Sequence, residues 1–121
     1  MKIKNIIDNS NIKLTTAREE ILSKLINSKT PQSYDDIKDT LSMDKATFYR
    51  NISKFEQSGI VQSFESNDKK RYFEITNNPH GHFICETCNK VECLSDNLNI
   101  KLDGYKIENI IIKGVCKSCN L

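Results

Sequence analysis

The motif CETC at residues 85–88, which returns as CKSC at residues 116–119, decides how the second half of this chain folds. A Cys-x-x-Cys pair places two sulfur atoms on one tight turn, and two such turns supply the four ligands of a tetrahedral Zn²⁺ site. A site closed by four cysteines is structural, because it leaves no coordination position open. The spacing predicts one structural Zn²⁺ per monomer, with the ligands Cys85, Cys88, Cys116 and Cys119.

Two disulfides or a thioredoxin-like dithiol are the alternatives to zinc. The segment after Met1 soon becomes polar, so we expect no secretory signal and a reducing, cytoplasmic environment. Disulfides are rare in such an environment. A thioredoxin-like motif stands near a βαβ pattern, which we do not find in the sequence. Zinc is therefore the preferred interpretation.

The composition limits what the chain can form by itself. Its 121 residues are 37% hydrophobic and include no tryptophan, which is little for two independent cores. We expect the metal and self-association to supply the missing stability. No apolar segment approaches the roughly 18 residues that would indicate a membrane span. The 18 basic and 16 acidic residues give a net charge of +2, so a DNA-binding surface must come from local placement of charge.

Three helices are predicted in the first half. The first covers residues 15–26 and opens with a capping box formed by Thr16 and Glu19. Ser33 is predicted to cap a short second helix. Asp44 is predicted to cap a third helix, whose apolar residues recur at helical spacing.

A hairpin follows these helices. The β-rich runs 60–64 and 71–75 flank the polar residues 65–70, which predicts two strands with a long charged tip. Three helices followed by a hairpin form the winged variant of the helix-turn-helix. Residues 1–76 are therefore predicted to be a winged-helix DNA-binding domain.

Double-stranded DNA is the partner that this domain predicts. The third helix of a winged helix enters the major groove, and the hairpin tip reaches backbone phosphate. A single exposed lysine or arginine is often only a solvated residue, so the prediction depends on the order of the elements. The predicted contacts are Lys45, Thr47, Tyr49 and Arg50 in the helix and Lys69 and Lys70 at the tip.

The second half is predicted to be a small α/β dimerisation domain. Residues 77–81 form the hinge, because Asn and Pro interrupt the strand there, and residues 82–121 form the zinc-stapled domain. An apolar strand over 107–115 is unsuited to an exposed edge, so we expect a homodimer, whose symmetry would match a palindromic operator. The predicted fold class is α+β, with further strands at 82–85 and 90–94 and a short helix at 95–102.

In this combination of motifs the chain resembles the ferric uptake regulator (Fur) family of metal-dependent bacterial transcription regulators, over nearly its full length. The motifs are LTTAR at 14–18, ATFYRN at 46–51, RYFE at 71–74, HGHFICETCNKV at 80–91 and GVCKSC at 114–119. The resemblance implies a winged helix, a dimerisation domain, a structural Cys₄ zinc and a separate sensing metal. It also implies that Thr47 and Tyr49 read the groove and that Arg18 and Arg50 support DNA contact.

The resemblance implies a regulatory metal site near the hinge. Glu74, His80 and His82 match positions that bind the sensing metal in the family. Cys93 stands where relatives usually have a carboxylate, and it is either a fourth ligand or a small buried hydrophobic residue. Relatives usually carry a histidine in the DNA-binding half where this chain has Pro31.

A metal-responsive repressor is the function that the resemblance implies. A second divalent metal (Fe²⁺, Mn²⁺ or Zn²⁺) would set the angle between the halves, or the site would sense peroxide through histidine oxidation. The alternative is a constitutive DNA-binding regulator with structural zinc only. A small zinc hydrolase with Glu74 as base is the third reading, but a chain of this size has little room for its pocket. We expect no enzymatic activity.

Overall fold

The computed structural model describes residues 3–76, 81–94, 101–107 and 109–121. Within them, helices dominate the first half and short strands the second, which agrees with the predicted α+β class. The predicted helix over 95–102 lies mostly outside the described residues. The elements are α1 Ile3–Asp8, α2 Thr16–Ile26, β1 Gln32–Ser33, α3 Tyr34–Ile37 with a 3₁₀ turn at Lys38–Thr40, α4 Lys45–Gln57, β2 Val61–Glu65, β3 Arg71–Ile75, β4 His82–Cys85, β5 Val91–Cys93 and β6 Ile111–Gly114.

Helix α1 was not predicted. Its Ile7 is buried in the main core, and Ile3 and Ile6 pack against that core. These three positions follow the helical spacing of i, i+3 and i+4. The polar residues between them and the shortness of the helix conceal this pattern in the sequence.

The helix caps agree with the sequence in two of three cases. Ser33 forms a capping box with Asp36, and the Asp44 side chain accepts a hydrogen bond from the Thr47 N–H at 2.8 Å. The prediction for α2 was wrong by one residue. Thr15 is its N-cap, because the Thr15 side chain accepts from the Arg18 N–H at 3.3 Å and its backbone is extended, whereas Thr16 is already helical.

The predicted hairpin forms, and it gains a third strand. Strands β2 and β3 pair antiparallel from Val61 opposite Ile75 to Glu65 opposite Arg71. The short strand β1 pairs with the other edge of β3, which gives the order β1-β3-β2. This strand was not predicted because two residues carry no alternation.

The core of the first half lies between α2, α4 and the hairpin. Phe48, Phe55 and Phe73 are fully buried, together with Ile21 and Leu22 from α2. Burying a side chain of this kind contributes about 1.5–3 kcal/mol. This core fixes the position of α4 relative to the hairpin tip.

The second sheet has the order β5-β4-β6. Strand β4 is antiparallel to β5 and parallel to β6, with Cys85 opposite Gly114. Because parallel strands end at the same edge, the turns that follow β4 and β6 meet there. Strand β6 starts at Ile111, so the predicted strand over 107–115 was too long.

The two halves are in contact along the second sheet. The His82 ring stacks on the Phe64 ring with a centroid distance of 4.6 Å and an interplanar angle of 27°. The Asn109 side-chain amide donates to the Ser63 carbonyl at 3.4 Å. The Cys93 sulfur faces the Lys29 carbonyl oxygen at 4.0 Å. Strands β4 and β5 therefore lie against the first half of the chain.

The edge strand β6 is apolar and partly uncovered. The exposed fractions are 36% for Ile111, 39% for Ile112 and 47% for the following Val115. An uncovered apolar edge strand invites pairing with another chain, which supports the expectation of a dimer. In the described part of the chain, no helix combines the length and apolar character needed to cross a membrane.

Candidate metal centres and DNA-binding surface

The four predicted zinc ligands lie together. The sulfur atoms of Cys85, Cys88, Cys116 and Cys119 all fall within 4.8 Å of one another, and none is in a disulfide. Cys85 and Cys116 are buried, whereas Cys88 is exposed. We refer to this group as the four-cysteine cluster. Four reduced sulfur atoms at this separation are the donor set that a structural Zn²⁺ site requires.

Backbone N–H groups point at one sulfur atom of this cluster. The Cys85 sulfur accepts from the N–H groups of Cys88 at 3.4 Å, Cys116 at 3.3 Å and Thr87 at 3.4 Å. These hydrogen bonds lower the pKa of Cys85 to about 6. The thiol of Cys119 has its pKa raised to about 12, mainly by its hydrogen bond with Cys116. The surrounding backbone thus favours a negative charge on Cys85, as metal ligation requires.

A second group of possible ligands lies between the two halves. A carboxylate oxygen of Glu74, a ring nitrogen of His82 and the sulfur of Cys93 fall within 4.8 Å of one another. The Nε2 atom of His82 is 3.0 Å from Oε1 of Glu74. We refer to these residues as the bridging cluster. His80, the fourth predicted ligand, lies outside the described residues.

Each member of the bridging cluster is positioned by a strand. Glu74 is on β3 and accepts a hydrogen bond from the Gln62 side chain at 2.5 Å. His82 on β4 stands directly opposite Cys93 on β5, and directly opposed side chains project from the same face of a sheet. The His82 side chain is only 1% exposed, so its ring has little freedom to move.

Cys93 is exposed, which does not fit the alternative of a buried core residue. Partial desolvation of its sulfur atom and the nearby Glu74 carboxylate raise the pKa of the Cys93 thiol. A cation placed between them would remove that unfavourable charge interaction. Oxygen, nitrogen and sulfur donors together suit a first-row transition metal.

The bridging cluster joins the halves without the histidine that relatives usually supply. Glu74 belongs to the hairpin of the first half, while His82 and Cys93 belong to the second sheet. Pro31, which stands where the family resemblance leads us to expect that histidine, is buried. The predicted domain boundaries had already assigned Glu74 to the winged-helix half and His82 and Cys93 to the dimerisation half.

The side chains in α4 that are predicted to contact DNA differ in their exposure to solvent. Lys45 and Arg50 are exposed, whereas Thr47 and Tyr49 are partly buried. Tyr49 packs its ring against Phe48 at a centroid distance of 5.2 Å, and burial raises the pKa of its hydroxyl. Tyr49 is therefore anchored in the core at one end.

Tyr34 belongs to the same surface and was missed by sequence reasoning. Its ring lies 5.8 Å from that of Tyr49, and the Lys45 ammonium lies 5.6 Å from the Tyr34 ring and 6.0 Å from the Tyr49 ring. The only sequence signal was an aromatic residue directly after the Ser33 cap. The pair of rings holds the lysine near the start of α4.

The remaining predicted contacts include two with internal partners. Arg18 donates to the Asn51 side chain at 2.9 Å and to the Lys13 carbonyl at 2.6 Å, so it ties α2 to α4. Lys70 lies 3.6 Å from an Asp35 carboxylate oxygen. Lys69 is exposed at the hairpin tip with a φ of 64°.

Comparison with known proteins gives the family. The sequence profile of the Ferric uptake regulator family matches residues 9–113. The chain belongs to the ferric uptake regulator family. It is a transcription regulator that binds DNA, and family members are metal- or peroxide-responsive and typically homodimeric. Members are not enzymes, which removes the hydrolase reading.

Two curated relatives and one solved structure illustrate this membership. The Peroxide operon regulator of Bacillus subtilis is 30% identical over 123 residues, which cover 90% of this chain and 85% of the relative. The Peroxide-responsive repressor PerR of Staphylococcus aureus is 32% identical over 125 residues, with 89% and 82% covered. The Helicobacter pylori ferric uptake regulator matches the fold with a TM-score of 0.78 at 21% identity, covering 100% of this chain and 95% of that one.

Proposed function

We propose that this family member is a homodimeric repressor that binds a palindromic operator when a divalent metal occupies the bridging cluster. The observation that carries the proposal is that the three donor atoms of the bridging cluster come from both halves of the chain. Glu74 comes from the hairpin of the DNA-binding half, and His82 and Cys93 come from the sheet of the other half. His80, two residues before His82, would complete a set of four. We further propose that the protein acts in the cytoplasm.

A metal at this position would act on the angle between the halves. Ligation would tie Glu74 of the hairpin to His82 and Cys93 of the second sheet. A ligand shifts a conformational equilibrium only by its difference in affinity for the two states. The complete donor set exists only where the halves meet, so occupancy favours the arrangement in which β3 lies against β4.

The four-cysteine cluster has a different proposed role. We assign one Zn²⁺ per monomer to Cys85, Cys88, Cys116 and Cys119. The cluster lies at the edge where β4 and β6 end, so it would hold the second sheet together in all functional states. Its contribution is to folding rather than to sensing.

The DNA contacts support the same function. The exposed start of α4, with Lys45 and Arg50, would enter the major groove, with Thr47 and Tyr49 beside them. Lys69 at the hairpin tip would contact phosphate, and Lys70 would do so by exchanging its Asp35 partner. Arg18 would support α4 through Asn51 rather than contact DNA by itself.

The signal is either the metal itself or an oxidant that acts at the metal site. The B. subtilis and S. aureus relatives are peroxide regulators by name. Their identity of about one third does not carry that signal to this chain, because the bridging cluster has a cysteine among its donors. A constitutive regulator is the second candidate, and Pro31 in place of the usual histidine is the observation that favours it.

Operator binding at controlled metal levels tests the proposal. Duplexes selected by the protein from a random library would be titrated with and without metal, under chelation mild enough to leave the first zinc equivalent bound. We expect the metal to tighten binding in the wild type and to have no effect in Glu74→Gln. Glu65→Gln is the matched control, because Glu65 is an exposed carboxylate in the same hairpin.

Two results of the operator-binding experiment would overturn the proposal. Equal operator affinity of the wild type at all metal levels, with one metal per monomer, would establish the constitutive regulator. Binding that responds to metal equally in Glu74→Gln and in Glu65→Gln would place the sensing site elsewhere.

A further inference from the structure

We propose that the bridging cluster selects thiophilic ions of the Zn²⁺ type over Mn²⁺, because the sulfur of Cys93 is one of its ligands. This inference rests on the proposed function and narrows the class of metal that the site takes. Its basis is the described geometry of Glu74, His82 and Cys93, whose donor atoms lie within 4.8 Å of one another.

The position of Cys93 is set by the sheet. The antiparallel ladder of β4 and β5 places Cys93 directly opposite His82. Opposed residues in such a ladder have Cβ atoms about 4.5–5.5 Å apart and project from the same face. The sulfur therefore stays beside the imidazole as long as the ladder is intact, and little ordering is needed for both to bind one ion.

The His82 imidazole is also held in place. It stacks on Phe64 at 4.6 Å, is 1% exposed, and has its Nε2 atom 3.0 Å from Glu74. A nitrogen, an oxygen and a sulfur donor held at short range leave little room for the six oxygen-type ligands that Mn²⁺ prefers. They fit the four-coordinate, mixed-donor geometry of Zn²⁺.

A contact between Cys93 and the DNA-binding half would let the choice of metal affect the arrangement of the two halves. The Cys93 sulfur is 4.0 Å from the Lys29 carbonyl oxygen, in the loop that precedes β1. An ion that binds the Cys93 sulfur would also hold β5 in place, and β5 lies against that loop. An ion that binds only Glu74 and His82 would not act on this contact. Metals that ligate sulfur should therefore be the stronger effectors.

Cobalt provides a direct probe of the proposed ligand. The 121-residue chain would be used as the dimer with one Zn²⁺ per monomer already bound, and Co²⁺ would be added as a second equivalent. Ligation by a thiolate gives a sulfur-to-cobalt charge-transfer band in the near ultraviolet. We expect this band in the wild type and its loss in Cys93→Asp. That substitution leaves a ligand at the same position but replaces its sulfur atom with a carboxylate oxygen.

The wild type and Cys93→Asp also serve to measure the selectivity for Zn²⁺ over Mn²⁺. The ratio of Zn²⁺ to Mn²⁺ affinity for the second equivalent should fall by about tenfold or more in Cys93→Asp, because a carboxylate replaces a soft ligand. Glu92→Gln, a change at the neighbouring position of β5, is the control and should leave the ratio unchanged.

Three outcomes separate this inference from the proposed function. A charge-transfer band that persists in Cys93→Asp would come from the four-cysteine cluster and would overturn the inference. An unchanged ratio of affinities would overturn it as well, even if metal still controlled operator binding. If the wild type bound no second equivalent, the proposed function and the inference would both be wrong.

Discussion

The two clusters of possible metal ligands differ in what holds them together. The four-cysteine cluster is built within one small sheet, where the parallel strands β4 and β6 end side by side. The bridging cluster joins two separately packed sheets through Glu74 and His82. A cluster inside one sheet is formed whenever that sheet is folded. A cluster between sheets is formed only in one arrangement of the halves, and that dependence is what a sensor needs.

The electrostatic surroundings of Cys85 in the first cluster and Cys93 in the second also differ. Three N–H groups point at the Cys85 sulfur and stabilise its thiolate before any ion binds. In the bridging cluster, partial desolvation and the Glu74 carboxylate raise the pKa of the Cys93 thiol. Cys85 is therefore prepared to bind a cation as a thiolate, whereas Cys119, with its pKa raised to about 12, and Cys93 would need a cation to balance their negative charge.

The largest effect is expected from removing a ligand of the four-cysteine cluster. Cys85→Ser should abolish binding of the first zinc equivalent and unfold residues 81–121, because binding of a structural zinc is worth about 10–16 kcal/mol. Zinc per monomer and thermal unfolding measure this. Cys93→Ser is the matched control and should keep the first equivalent. A folded, zinc-free Cys85→Ser dimer would show that the cluster is not the structural staple.

Acidification should release the first zinc before it disrupts the winged helix. The folded pKa of Cys85 is about 6, below its ordinary value near 9. A lowered pKa contributes stability that is complete above the ordinary value and is lost as the pH falls through about 6. Zinc retention against a chromophoric chelator should fall as the pH passes below about 6, where protons begin to compete for the Cys85 sulfur. Retention that is the same on both sides of pH 6 would contradict the assignment of Cys85 as a thiolate ligand.

Motifs with a local physical meaning were predictable from the sequence. The zinc turns follow from cysteine spacing, and the Ser33 and Asp44 caps from a polar side chain before an apolar helix. Helix α1 and strand β1 were not predictable, because each is short and is held by contacts with residues distant in sequence. The spacing of Thr16 to Glu19 favoured Thr16 as the cap of α2, whereas the backbone conformation makes Thr15 the N-cap.

The candidate sites were predictable in their members but not in their architecture. The family resemblance supplied Glu74 and His82, and Cys93 was considered because it departs from the family pattern. The predicted domain boundary already divided them between the halves, but it did not give their mutual positions. The register that sets Cys93 opposite His82 is a long-range property of the sheet. Tyr34 escaped notice because its role depends on the packing of α3 against α4, which brings three rings together.

A moderate effect is expected from the ring contact between the halves. Phe64→Leu removes the stacking with His82, and an aromatic pair of this kind is worth about 0.5–1.5 kcal/mol. The affinity of the second metal equivalent should fall several-fold, while the first zinc stays bound. Isothermal titration with the zinc-loaded dimer measures this.

A substitution on the other face of β4 is the control for this ring contact. Phe83 is next to His82, so its side chain projects from the opposite face of the strand. Phe83→Leu should leave the second equivalent unchanged. If both variants lost second-site affinity equally, the effect would come from general loosening of the sheet rather than from the contact between the halves.

The smallest effect is expected from a substitution in the DNA-binding surface, and it should not depend on either cluster. The Lys45 ammonium lies over the rings of Tyr34 and Tyr49, and a cation–π contact at an exposed site is worth about 0.5–1 kcal/mol. Tyr34→Leu should therefore weaken operator binding by about two- to fivefold. The loss should be the same with and without the second metal, because Tyr34 is not a member of either cluster.

A double-mutant cycle assigns that loss to Lys45. Lys45→Met should weaken binding and reduce its dependence on salt by about one phosphate contact. Tyr34→Leu should then add nothing to Lys45→Met, since the lysine that it positions is gone. Additive losses would mean that Tyr34 acts on α4 by packing alone. A loss that depends on the second metal would mean that the recognition surface and the bridging cluster are coupled through α3.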